Sequence, residues 1–198
     1  ADDIDFIDLT GGTSTGRKVA SVAGKRVIRT TMELGGKTPI VVCEDADIDA
    51  AVAGVLFSAF VASGQTCVAG SRIIVHESIY EEFAKRLAQR ADQIRLGDPM
   101  DESTQMGPVI CRTSLDRCKA FIKTAKAQGA RQISGLDLLE LDGALINGFY
   151  IRPTVFADVK ADHTLFLEEV FGPVISLTKV SNDEEAISCA NAGDFGLG

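Results

Sequence analysis

Cys67 and Glu33 are the two side chains whose type and setting suit covalent chemistry. Cys67 lies in Gly64-Gln65-Thr66-Cys67-Val68-Ala69-Gly70-Ser71-Arg72, a polar stretch with glycine on both sides. Flanking glycines let backbone approach a ligand closely. A loop thiol among backbone N–H groups can act as a nucleophile and share in an oxyanion site. A free cysteine can equally be a small buried hydrophobe, and position alone does not activate a thiol. Glu33 ends a run that is otherwise apolar or β-branched, just before Gly35-Gly36-Lys37. A carboxylate at a strand end can face a cleft and act as a general base. The alternative is a solvated acid paired with Lys37.

Two further patterns could hold a ligand. Gly11-Gly12-Thr13-Ser14-Thr15-Gly16 follows a strand signal and precedes a helix signal. Such a turn can set a pyrophosphate against helix N–H groups. Its spacing is neither the dinucleotide fingerprint nor a P-loop, and a plain strand-to-helix turn fits it equally. Glu168-Glu169-Val170-Phe171-Gly172-Pro173-Val174 joins acids to an aromatic ring on a tight bend. Acid and ring together could hold a ribose and stack on a flat cofactor; a capped turn with a core phenylalanine is the bland reading. Cys43, Cys118 and Cys189 sit in apolar strand or helix signals and read as core filler. His76 and His163 are far apart and no Cys-x-x-Cys occurs, so zinc spacing is absent and no metal is expected.

The elements that must position these residues alternate between strand and helix, which predicts an α/β fold. Strands are predicted over 4–10, 27–34, 39–43, 72–76, 148–156 and 174–180. Helices are predicted over 17–23, from Asp47 to the region of Gly64, from Ser78 to about Ile94, over 113–129, and from Ser181 to near Asn191. Ile48, Ala51, Val52, Val55, Leu56, Ala59 and Phe60 recur at helical spacing after the capping Asp47. Ser78 with Glu81, and Ser181 with Glu184, have capping-box spacing. Gly64 stands where a left-handed C-terminal residue belongs.

The 198 residues suit one domain or somewhat more, with 45% apolar and 24% charged residues. The 28 acidic against 20 basic residues leave a net charge of −8, which argues against nucleic-acid or anionic-membrane partners. The apolar run over 50–62 is too short to span a bilayer, and no secretory signal is visible. Five cysteines, an odd count, fit a reducing, cytoplasmic setting. The chain opens on Ala1 and closes on Gly198 just after a helix signal, so both ends are expected to be cuts within a longer protein.

Taken together, these segments resemble the aldehyde dehydrogenase superfamily. Glu33-Leu34-Gly35-Gly36-Lys37 matches its glutamate active-site motif. Phe60 with Gly64-Gln65-Thr66-Cys67-Val68-Ala69-Gly70-Ser71 matches its cysteine motif in full, with Glu33 and Cys67 a typical 34 residues apart. Gly97-Asp98-Pro99, Met106-Gly107-Pro108, the segment from Gly148 to Thr154, and Asn191 before Phe195-Gly196-Leu197 follow in the family's order, so the likeness covers almost the whole chain. The resemblance implies an open twisted sheet flanked by helices, present here incompletely. Residues 1–34 would be the end of the NAD(P)-binding domain and 35–198 a truncated catalytic domain. It implies oxidation of a small-molecule aldehyde to a carboxylic acid through a thiohemiacetal and thioester on Cys67, with Glu33 activating the hydrolytic water. Gly11, Gly12, Thr13, Gly16, Leu34, Glu169 and Phe171 would hold NAD or NADP. The parent protein would be a homodimer or homotetramer.

Four departures qualify the likeness. The family's proline-tryptophan-asparagine segment, source of a second oxyanion donor, and its adenosine-ribose lysine and acid would lie upstream of Ala1. NAD therefore cannot be separated from NADP, and the 198 residues alone are expected to be inactive. Thr38 and Gly12 are minor variations, the latter losing a frequent serine hydroxyl. A coenzyme A-acylating dehydrogenase and a non-catalytic scaffold of the same fold are the alternatives. Glu33 speaks against the first, and the Cys67–Glu33 pair against the second.

Overall fold

The computed structural model describes residues 3–137, 139, 141 and 143–198. Ala1 and Asp2, where the first expected domain begins, lie outside the described residues. The chain opens with a strand–helix–strand unit: β1 (Phe6–Thr10), α1 (Thr13–Lys25) and β2 (Arg29–Glu33). The two strands form their own parallel sheet, with Thr10 opposite Glu33. α1 starts four residues before the expected Arg17. Gly12, in extended conformation, is its N-cap, and its carbonyl accepts the N–H groups of Thr15 and Gly16 at 2.9 and 3.0 Å. The predicted six-residue glycine turn is thus a two-residue turn followed by helix. Val27, in left-handed conformation with φ 58°, delays β2 to Arg29.

The remaining strands form a five-stranded sheet in the order β3 (Thr38–Val42), β4 (Gly70–His76), β7 (Val174–Val180), β6 (Thr154–Ala157) and β5 (Arg131–Gln132). The first four are parallel; β5 pairs antiparallel with β6. β4, β6 and β7 are almost wholly buried, as strands covered on both faces must be. Alternate residues divide between the faces. Ile73, Val75, Val155, Ala157, Ile175 and Leu177 pack with α2 (Ile48–Phe60) and α3 (Tyr80–Asp92). Phe156 and Val174 pack with α4 (Arg112–Ala127) and α5 (Thr164–Leu167), and Ile74 with α6 (Asp183–Ala190). This is the α/β architecture expected, a mixed sheet between helical layers. No helix among the described residues is long and apolar enough to cross a membrane.

Local differences have local causes. The strand predicted over 148–156 narrows to β6, because Pro153 cannot donate to a ladder and the preceding stretch is used elsewhere. There the Phe149 carbonyl accepts the Val109 N–H, and the Tyr150 hydroxyl donates to Gly97. β5 and α5 have two and four residues, too few to carry a periodic signal. The box at Ser78 does not form; Ile79 is the N-cap and the Ser78 hydroxyl meets His76 Nδ1. At α6 the cap is shifted by one: Asn182 accepts the Glu185 N–H, and the Glu185 carboxylate accepts from the Ser181 N–H and hydroxyl. Those bonds hold the Glu185 carboxyl below its usual range. Cys43 is not core filler, since it lies beyond β3 and is exposed. Cys118 is buried, which pushes its thiol up to about 11. Cys189 is half-buried.

Arg72 ties the sheet to its last helix. It is buried, stacks over the Phe166 ring at 4.6 Å, and donates to the carbonyls of Cys189, Ala190 and Ala192. A cation at these carbonyls satisfies the unpaired C-terminal end of α6 and its negative dipole. Arg72→Met should strand those carbonyls and lower stability by roughly 2–4 kcal/mol, read from urea denaturation. A loss below about 0.5 kcal/mol would show that α6 does not depend on the arginine.

Candidate active site

Five chain segments meet at one cavity of about 450 Å³ lined by Thr10, Gly11, Gly12, Glu33, Leu34, Gly35, Gln65, Thr66, Cys67, Arg117, Glu169 and Phe171. Their placement follows from strand direction. Gly11 and Leu34 follow the carboxyl ends of β1 and β2. Gly35, Cys67 and Phe171 precede the amino ends of β3, β4 and β7, which are adjacent in the large sheet. The small sheet thus brings its strand ends to face the strand beginnings of the large one.

Cys67 is carried by a constrained loop. α2 ends at Phe60, and Ala62, Ser63 and Gly64 then take left-handed conformations in succession, with φ 51°, 57° and 69°. For alanine and serine this costs about 1–2 kcal/mol each. The run is held from outside. The Ser63 hydroxyl donates to the Gly107 carbonyl at 2.9 Å, and Gln65 Oε1 accepts the Ile110 N–H at 2.9 Å. Gly64 leaves no room for a side chain, because a Cβ would fall 2.5 Å from the Gly172 carbonyl oxygen. Cys67 then occupies the second position of a turn closed by the Ala69 N–H on the Thr66 carbonyl, and is half-buried. The Ser58 hydroxyl accepts the Gly70 N–H and joins the loop's end back to α2.

Glu33 ends β2, and its carbonyl accepts the Gly11 N–H at 2.9 Å, which locks the two glycine-bearing ends together. Its side chain is exposed and lines the cavity with Cys67. The alternative pairing with Lys37 is not formed: Lys37 is buried and its Nζ has no hydrogen-bond partner among the described residues. Glu169 turns its Oε1 to the Gly36 N–H at 3.0 Å, and its Oε2 lies against Gly35. Phe171 adopts φ 54°, and its carbonyl accepts from Arg117 at 3.4 Å.

Of the nine residues expected at the site, seven share this lining: Cys67, Glu33, Gly11, Gly12, Leu34, Glu169 and Phe171. Thr13 opens α1 and Gly16 lies inside it, outside the lining. Gly16 is a glycine because Leu34 lies on it; a Cβ would fall 2.5 Å from Leu34 Cδ2. Arg117 escaped the sequence reading, since a charged residue on an exposed helix face looks like an ordinary solvated charge. Gln65 and Thr66 lay within the cysteine segment but had no individual signal. No group of three or more His, Cys, Asp or Glu capable of holding a metal occurs among the described residues.

Comparison with known proteins agrees over the whole chain. The model of the aldehyde dehydrogenase family matches residues 1–198. The betaine aldehyde dehydrogenases of Brucella ovis and Brucella suis are each 44% identical over 191 residues, covering 96% of this chain and 39% of theirs. A solved betaine aldehyde dehydrogenase from Staphylococcus aureus, in complex with NAD+, superposes with a TM-score of 0.93 at 35% identity, over 97% of this chain and 38% of that one. A variant of an aldehyde dehydrogenase from Bacillus cereus gives 0.93 at 35% identity, over 99% and 39%. The chain therefore spans about two fifths of the length of the relatives it matches.

The two glycines before Lys37 should respond differently to a methyl group. At Gly36 a Cβ would collide with the Cys67 backbone carbonyl, whereas at Gly35 it would meet only the movable end of Glu169. Gly36→Ala should therefore lose roughly 1–3 kcal/mol in chemical denaturation. Gly35→Ala should lose less than about 0.5 kcal/mol. Equal losses would mean that the Glu169 carboxylate cannot yield.

Proposed function

The chain belongs to the aldehyde dehydrogenase family, and on that premise we propose that the protein carrying it oxidises an aldehyde to a carboxylic acid with NAD or NADP. The observation that carries this reading is the convergence of Cys67 and Glu33 on one cavity with the glycines of the α1 entry and the Glu169–Phe171 bend. Residues 1–34 would contribute to the cofactor half and 35–198 to the thiol half.

The residues present suit a dinucleotide. α1 has thirteen residues, begins after Gly11-Gly12, and has neither a side-chain cap nor an acidic residue in its first turn. Its amino end is thereby open to the negative charge of a pyrophosphate. Leu34 offers an apolar wall and Phe171 a flat ring. Glu169, with one oxygen anchored on Gly36, keeps the other for a ribose hydroxyl. When bound, the nicotinamide supplies a two-electron acceptor.

The chain's own groups then have defined tasks. The Cys67 sulfur, as thiolate, bonds to the aldehyde carbon, and the carbonyl π electrons move onto oxygen. Backbone N–H donors of the turn at Cys67 stabilise that oxyanion. After the two-electron oxidation the sulfur holds an acyl group as a thioester. Glu33 takes a proton from water as the water oxygen attacks the acyl carbon, and the C–S bond breaks to return the thiolate. The exposure of Glu33 gives it direct access to that water.

The test uses the complete protein, with betaine aldehyde and an uncharged aliphatic aldehyde offered separately. Cys67→Ala should abolish aldehyde-dependent formation of reduced cofactor. Glu33→Gln should preserve a first-turnover burst while steady turnover falls roughly 10²- to 10⁴-fold. Undiminished oxidation by Cys67→Ala would overturn the reading. So would release of acyl-coenzyme A in place of free acid.

A further inference from the structure

Lys37 is a buried cation, and the proposed reaction gives it no task. It is 2% exposed, and its Nζ has no hydrogen-bond partner among the described residues. A buried cation without hydrogen bonds destabilises a fold. A methionine would fill similar space without that charge. Local conflicts of this kind concentrate where function overrides packing.

The setting indicates what the charge does. Lys37 directly follows Gly35-Gly36, the two residues that frame the Glu169 carboxylate: one donates its N–H to Oε1, the other packs against Oε2. Three charged groups act on the ammonium. Arg72 of β4 repels it, whereas Glu169 and Glu168, from the segment between α5 and β7, favour it. The backbone therefore orients the Glu169 carboxylate, and the buried cation attracts it. We infer that Lys37 is a positioning residue that holds Glu169 at the cofactor cavity by charge, without itself touching cofactor or substrate. This inference rests on the reading of Glu169 as a cofactor contact.

A consequence in pH follows. Burial, with Arg72, brings the Lys37 ammonium down to about 7 from 10.5. Below that value the folded protein carries the charge and its full destabilising cost; as pH rises toward 10.5 the cost disappears, because the unfolded lysine loses its proton as well. The hold on Glu169 has the opposite benefit, being strongest when Lys37 is charged and fading as pH rises through about 7.

The experiment is equilibrium binding of NAD+ and of NADP+ to the complete protein between pH 6 and 8.5, with chemical denaturation alongside. In the native protein the dissociation constant should rise roughly two- to fivefold across this range. Lys37→Met should bind at the weaker level throughout, with a flat profile, and should gain stability over the native protein most at pH 6. Lys37→Arg, which stays charged, should bind at the tighter level throughout. A Lys37→Met profile that parallels the native one would overturn the inference. Glu169→Gln separates the two readings. If it weakens binding at every pH while Lys37→Met changes nothing, only the role of Lys37 fails; if it leaves binding intact, the cofactor contact itself fails, and the role of Lys37 with it.

Discussion

Two successive backbone positions are closely approached, Gly35 by the Glu169 carboxylate and Gly36 by the Cys67 carbonyl. At Gly36 no side chain fits, and at Gly35 one fits only if the Glu169 carboxylate yields. This double approach sets the distance between the loop that carries the thiol and the bend that carries the acid and ring. The Gly36 N–H is spent on a carboxylate, a charge-assisted bond stronger than a neutral one. The site is therefore assembled by main chain first and side chains second.

The direction of the strands gives the cavity its character. In open parallel sheets a ligand commonly sits outside the carboxyl ends. Here the small sheet follows that pattern, with Gly11, Gly12 and Leu34 just past β1 and β2. The large sheet does the reverse, and Cys67, Glu169 and Phe171 precede the strands they lead into. The amino ends of β3, β4 and β7 are neighbours only because β4 stands between β3 and β7. Residues more than a hundred apart in sequence meet through that order. Arg72 secures the same region from behind by fastening α6 to β4.

Much of this was legible in the residues. The helical spacing from Ile48 to Phe60 picked out the positions that pack into the core, and β7 has the predicted bounds. Gly64 was legible as a left-handed residue, but Ala62 and Ser63 were not, because nothing local favours that conformation for either. It is imposed by Gly107 and Ile110, which bond to Ser63 and Gln65 from another segment. Gly16 shows the converse limit: a glycine that looked like part of a ligand loop is one because a leucine packs on it. Arg117 and the isolation of Lys37 depend on tertiary neighbours and carry no sequence pattern at all. Chemistry-bearing residues were readable where motif and backbone demand coincide, and hidden where a distant contact decides.

The small sheet and α1 pack chiefly on one another, and four residues, Leu34 to Lys37, carry the chain from β2 into β3. Glu33 rides on the near side of that span and Cys67 on the far side. The span thus joins the strand that ends on Glu33 to the strand that pairs with the one Cys67 leads into, and the bond from the Gly36 N–H to Glu169 pins it midway.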